Sequence, residues 1–191
     1  ADWKPADHVV LNDGDHPVFL FVGLMGYDPN IDAVQWFATE VFPQVRRSLP
    51  GAEFRVVGRG SESVAALGSL PGVTIVGAVD SLREEMDGAD VSIVPLRSGA
   101  GTRLKVIEAM ANRLPMVSTT VGCEGIDVAD DEHILIADSA AGFADACVQA
   151  ATEGDERRSL IEAAQQRYID LYQWSTIRAS VSALARDLAQ G

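Results

Sequence analysis

The chain has 191 residues, 47% of them hydrophobic, and a formal net charge of −13, which allows one substantial core and is rather short for two. The acid is densest at Asp13, Asp15, Glu84, Glu85, Asp87, Asp90 and the Asp130-Asp131-Glu132 run. It argues against non-specific binding of nucleic acid, which needs a basic footprint, and against an anionic membrane surface. No apolar run reaches the ~20 residues needed to cross a bilayer, and the opening Ala1-Asp-Trp-Lys-Pro5 lacks the basic-then-apolar order of a signal peptide.

Residues 1–16 read as a linker or edge segment, with Pro5, a short apolar piece and a polar turn. Pro17-Val-Phe-Leu-Phe-Val-Gly23 is a continuous apolar run ending in glycine, as expected of a strand buried on both faces. Asn30 predicts the N-cap of a helix starting at Ile31, with Val34, Phe37, Ala38, Val41 and Val45 at helical spacing and Pro50-Gly51 as its stop. Strand and helix then alternate: strands over 53–58, 73–76, 91–95, 116–120 and 133–137, and helices over 62–70, 81–87, 102–112, 140–151, 155–171 and 175–189. Five or six short apolar strands alternating with helices predict an α/β, doubly wound, mostly parallel sheet, Rossmann-like, with right-handed crossovers. Ligands in such sheets bind at the carboxyl ends of the strands, where the strand order reverses. The small-residue turns carrying Gly23, Gly58-Arg59-Gly60 and Gly99 to Gly101 are expected to share that edge.

The chain is organised around the stretch from Pro95 to Ala111. A turn without Cβ atoms at Gly99 and Gly101 lets a ligand approach the backbone, and the free N–H groups at the start of the next helix suit a phosphate or diphosphate. Arg97, Arg103 and Lys105 concentrate positive charge there despite the acidic total. With Thr102 as N-cap, the stripe of Leu104, Ile107 and Ala111 also contains Glu108. A lone carboxylate there is costly unless something hydrogen-bonds it. A nucleotide's ribose diol is one such partner; an ion pair with Lys105 at i, i+3 is the other reading.

Cys123 and Cys147 have no metal-ligand spacing and read as structural thiols of a cytosolic protein, a disulfide being the alternative. His8, His16 and His133 are dispersed, so a catalytic metal has little to ligate it. In the C-terminal helix Ile177, Val181, Leu184 and Leu188 form an apolar stripe that packs either on this domain's own sheet or on a partner domain.

The segments Gly23-Leu-Met-Gly-Tyr-Asp-Pro-Asn-Ile-Asp-Ala-Val-Gln-Trp-Phe37, Val56-Val-Gly-Arg-Gly60, Arg97-Ser-Gly-Ala-Gly-Thr-Arg-Leu-Lys-Val-Ile-Glu-Ala-Met-Ala111, Leu114-Pro-Met-Val-Ser118 and Gly122-Cys-Glu-Gly-Ile126 resemble, in order and spacing, the donor-binding C-terminal half of a GT-B glycosyltransferase of family 4 (group 1). The resemblance spans about residues 8–189. It implies a cytoplasmic enzyme of polysaccharide or glycoconjugate biosynthesis, peripheral to the membrane through its other half. That enzyme performs retaining transfer from a nucleoside diphosphate sugar (a UDP- or GDP-sugar) without a metal, in a cleft against an N-terminal acceptor-binding domain.

By the same resemblance Glu108 binds the ribose, and the turn at Gly99, Ala100, Gly101 and Thr102 cradles the diphosphate. Gly23, Gly58 and Arg59 lie near the nucleotide, the Gly77 to Asp80 loop brackets the base, and Arg103 and Lys105 serve the leaving diphosphate. Residues 17–173 would form the nucleotide-sugar domain, and 174–191 a helix reaching back to the missing domain.

Two departures stand out. Ala100 occupies the position eight before Glu108 where the family usually has an acid, and Leu24 to Asn30 carries no basic residue. The competing reading is a non-catalytic nucleotide-binding or scaffolding domain of the same fold. A dehydrogenase is disfavoured because G-x-G-x-x-G is missing after the first strand, where Gly23 and Gly26 alone remain.

Overall fold

The computed structural model describes residues 16–152, 154–178 and 181–182. Six strands, β1 (Val18–Val22), β2 (Glu53–Val57), β3 (Val73–Gly77), β4 (Val91–Val94), β5 (Met116–Ser118) and β6 (Leu135–Ile136), form one sheet in the order 3-2-1-4-5-6. Every pairing between them is parallel. The order reverses between β1 and β4, so the loops leaving these two strands flank the switch-point crevice. β1 and β4 are almost wholly buried, as their unbroken apolar runs require. β5 ends at Ser118 and β6 shrinks to two residues, both shorter than the sequence predicts. At β6, His133 is turned inward and its Nδ1 accepts the Ala129 N–H at 3.1 Å.

The first crossover departs most from expectation. Its helix, α1 (Asp28–Trp36), starts at Asp28 behind Tyr27 as N-cap, not at Ile31 behind Asn30. Pro29 fits the first turn, where a missing N–H costs nothing, and Asp28 suits the positive end of the dipole. Asn30 is thereby carried into the helix and buried. A π-turn (Phe37–Val41) separates α1 from α2 (Phe42–Ser48), with the Phe42 N–H donating to the Phe37 carbonyl. The cause is Pro43, which has no N–H for the carbonyl four residues back and whose ring would collide with it; widening one turn accommodates both.

The 62–70 helix is a 3₁₀ segment (Ser61–Ser69), and α3 (Leu82–Asp87) is short. The helix after β4, α4 (Leu104–Ala111), is capped by Arg103 rather than Thr102. Its core face is Val106, Ala109 and Met110, while Leu104 is 58% exposed. The predicted stripe is therefore displaced by about one residue around the helix. α5 (Ala140–Ala151) and α6 (Asp155–Leu171) match their predicted spans, and Ser139 caps α5 by accepting the Gly142 N–H.

α5 packs on α2 and the π-turn, and α6 on α4, as right-handed crossovers on the two faces of the sheet dictate. Phe37 sits at the centre of one layer, its ring 4.6 Å from Phe54, 5.8 Å from Phe42 and 5.9 Å from Phe143. Cys123 and Cys147 are buried free thiols. Residues 174–178 and 181–182 are helical. There Ile177 is half-buried, while Trp174 and Val181 are more than half exposed; Leu184 and Leu188 lie outside the described residues.

Candidate functional site: the crevice between β1 and β4

The three small-residue turns meet at one edge, as expected. The Gly23 N–H donates to the Val57 carbonyl at 2.9 Å, and the Met25 N–H to the Arg59 carbonyl at 2.8 Å. These bonds join the turns after β1 and β2. Gly58 carries φ +145°, and a Cβ there would lie 1.7 Å from the Gly23 carbonyl oxygen; no side chain fits. On the other wall Gly101 has φ +110° with open space where a Cβ would point. The N–H groups of Gly99, Gly101 and Thr102 have no partner among the described residues. An anion could lie against them at the entry to α4.

Ala100 is different. Its N–H donates to the Tyr27 hydroxyl at 3.2 Å, and that hydroxyl is 3.3 Å from the Ala100 carbonyl. A Cβ on Gly99 would meet the same hydroxyl at 2.9 Å. Tyr27 thus bridges the two walls, a contact across 73 positions that no local signal announces.

The basic residues divide by partner. Arg97 is spent on Asp32, its Nε donating to Oδ2 at 3.0 Å, with its guanidinium over the Trp36 ring. Arg103 is 4% exposed. Its Nε donates to the Val121 carbonyl at 3.0 Å and its Nη2 to the Gly99 carbonyl at 2.9 Å, with Glu124 3.7 Å away. It braces the turn rather than presenting a free charge.

Lys105 has no carboxylate within 4 Å among the described residues; its Nζ donates to Asn30 Oδ1 at 3.1 Å and lies 4.2 Å from the centre of the Phe21 ring. Burial, and then the Arg103 charge, hold its ammonium down at about 8, against the pull of Glu108. Asn30 holds this arrangement from the other side, its Nδ2 donating to the Leu24 carbonyl at 2.9 Å. Arg59 is exposed and makes none of the described ion pairs. It lines an open groove of about 850 Å³ that runs from the turn after β2, at Gly58 and Gly60, between the 3₁₀ segment and β3 from Val73 to Gly77.

Glu108 is half-buried, and its carboxylate has no hydrogen bond or ion pair among the described residues. The Lys105 ion pair does not form; that ammonium goes to Asn30 instead. Burial raises the carboxyl's pKa, only partly opposed by Lys105. A carboxylate in that state has acceptor capacity that no described residue uses. Among the described residues no group of three or more His, Cys, Asp or Glu could hold a metal, and no helix is long and apolar enough to cross a membrane.

Known proteins resemble this chain in sequence or in fold. An uncharacterized 44.6 kDa protein in the cps region of Klebsiella pneumoniae is 29% identical over 158 residues, covering 74% of this chain and 41% of its own length. The chain therefore spans less than half of that relative. Sucrose-phosphate synthase from Thermosynechococcus elongatus superposes with a TM-score of 0.73 at 23% identity, over 94% of this chain and 47% of the synthase. The C-terminal domain of a group 1 glycosyl transferase, LpcC from Francisella tularensis, gives 0.66 at 15% identity, over 91% of this chain and 97% of that domain. HepE from Anabaena, in complex with UDP and glucose, gives 0.68 at 14% identity, over 88% of this chain and 47% of HepE. These likenesses establish the fold of one GT-B half. The sequence profile of glycosyl transferases group 1 matches residues 16–153, well over half of the chain, and the chain belongs to that family.

Proposed function

We propose that this chain is the donor-binding half of a retaining glycosyltransferase. It takes a nucleoside diphosphate sugar, with UDP or GDP as the nucleotide, in the crevice between β1 and β4. The observation that carries this reading is Glu108: a half-buried carboxylate without a protein partner, one turn into the helix whose approach loop offers unpartnered N–H groups. A ribose diol supplies the missing donors, the diphosphate lies against Gly101 and Thr102, and the groove beside Gly58, Arg59 and Gly77 receives the base. HepE's complex with UDP and glucose supports the ligand class.

Lys105 stabilises the charge that develops on the leaving diphosphate, and Arg103 acts by fixing the loop that carries the amides. Transfer occurs against an N-terminal acceptor-binding domain, to which residues 174–191 reach back; residues 1–16 link the halves, and 17–173 form the donor domain. This chain alone binds nucleotide weakly and transfers nothing, with no metal required.

Calorimetric titration of the full-length protein with UDP, GDP and ADP and their sugars tests the reading. Binding of one nucleotide class, stronger with the sugar attached, is expected. No binding by any of them would favour the scaffolding alternative, for which Ala100 speaks.

A further inference from the structure

We propose that Tyr27 is a specificity-determining residue for the donor: its phenol, seated on the Ala100 amide, donates a hydrogen bond to a hydroxyl of the sugar carried by the diphosphate. The inference rests on the donor-binding reading above and adds to it the residue that touches the sugar.

The ligand's direction follows from the order of the subsites. The groove proposed for the base runs from the turn after β2 along β3, on one side of the switch point. From there the ribose, the diphosphate and the sugar must follow in covalent order. Glu108 lies on the C-terminal side of Gly101 and Thr102, and Gly99-Ala100 on their N-terminal side. With the ribose at Glu108 and the diphosphate at Gly101 and Thr102, the sugar continues to the side of the loop held by Ala100 and Tyr27.

The stretch Gly23–Tyr27 of the β1 loop carries a single polar side chain, that of Tyr27. Position 100 offers no functional group. Arg97, in the same loop, is occupied by Asp32, and Asn30 by Leu24 and Lys105.

The geometry of Tyr27 suits the task. Its oxygen accepts the Ala100 N–H at 3.2 Å, which fixes the phenol in place; its own proton has only the Ala100 carbonyl at 3.3 Å. That second contact is long for an O–H donor, so exchanging it for a sugar hydroxyl loses little. Tyr27 as a residue stays 39% exposed, so a ligand can reach it. Gly99 makes this seat possible, since any side chain there would displace the hydroxyl.

The test is Tyr27→Phe in the full-length protein, titrated with UDP, GDP, UDP-glucose and GDP-mannose, together with a melting curve and the KM for the donor that binds. Phenylalanine keeps the ring against Gly99 and Pro29. The expected result is an unchanged affinity for the bare nucleotide and a three- to tenfold loss for the nucleotide sugar, seen as a raised donor KM. Equal weakening of both ligands with a lowered melting temperature would mean that the hydroxyl is only a structural bridge, and would overturn the proposal. So would an unchanged affinity for both. Failure of the wild-type protein to bind any of the four ligands would instead bring down the donor-binding reading, and this inference with it.

Discussion

Replacing Glu108 by Gln should move stability and binding in opposite directions. In the free protein the carboxylate is half-buried, has no partner among the described residues, and has a raised pKa chiefly through burial. Folding therefore penalises its ionised form. Above the folded-state pKa the whole penalty is felt; below the ordinary carboxylate value of 4.5 both states are protonated and it disappears. The Gln variant should accordingly be more stable than wild type by a few tenths to about 1 kcal/mol near neutral pH, discounted for partial solvent access. That gain should vanish as the pH falls through 4.5.

On the proposed reading the carboxylate accepts two ribose hydroxyls in the bound state. Gln keeps one neutral acceptor and turns an N–H₂ toward the other hydroxyl, a loss of about 2–3 kcal/mol, or roughly 30- to 150-fold in nucleotide affinity. Urea denaturation across pH and calorimetry with UDP or GDP read the two effects separately. Affinity falling less than about threefold would refute the ribose assignment. A loss of stability at neutral pH would refute the claim that the carboxylate is uncompensated.

Gly58→Ala must relieve a Cβ placed 1.7 Å from the Gly23 carbonyl oxygen. The shift breaks into the bonds Gly23 N–H to Val57 and Gly58 N–H to Gly77; with the strained φ, the cost should be about 2–5 kcal/mol in chemical denaturation, and a change under 1 kcal/mol would show the turns are not fixed to one another. For Lys105, whose ammonium is held down at about 8, diphosphate affinity should fall as pH rises through about 8, and Lys105→Met should abolish that dependence in calorimetric titrations between pH 7 and 9.5. The same depressed pKa means that burial penalises the charged lysine. The fold should therefore gain stability as pH rises from about 8 toward the ordinary 10.5, provided that Lys105 is the titrating group; the Met variant is the control.

The sheet was legible because each strand is a short apolar run punctuated by glycine or proline, and burial on both faces leaves no alternation to misread. Glycine turns after β1, β2 and β4 are a local signal, so their meeting at one edge followed once the winding was recognised. Helix starts were harder. Asn30 and Thr102 are both good caps by type, but Asp28-Pro29 outcompetes the first. At the second, the chain reaches helical geometry only after Arg103, whose side chain is anchored on Gly99 and Val121. The π-turn had one cue, Pro43, lying inside an otherwise helical pattern. What the sequence could not reveal was pairing at a distance: Lys105 choosing Asn30 over Glu108, Arg97 choosing Asp32, and Tyr27 meeting Ala100. These contacts join segments 65–75 residues apart, and only the winding of the sheet brings them together.

Phe143, from the helix that follows the last strand, lies edge-on to both Trp36 and Phe37 of the first crossover. That knot fastens the two halves of the sheet to each other directly across the line where their winding diverges. Any opening of the sheet between its halves on that face would have to give up both edge-on contacts, which resists such a motion.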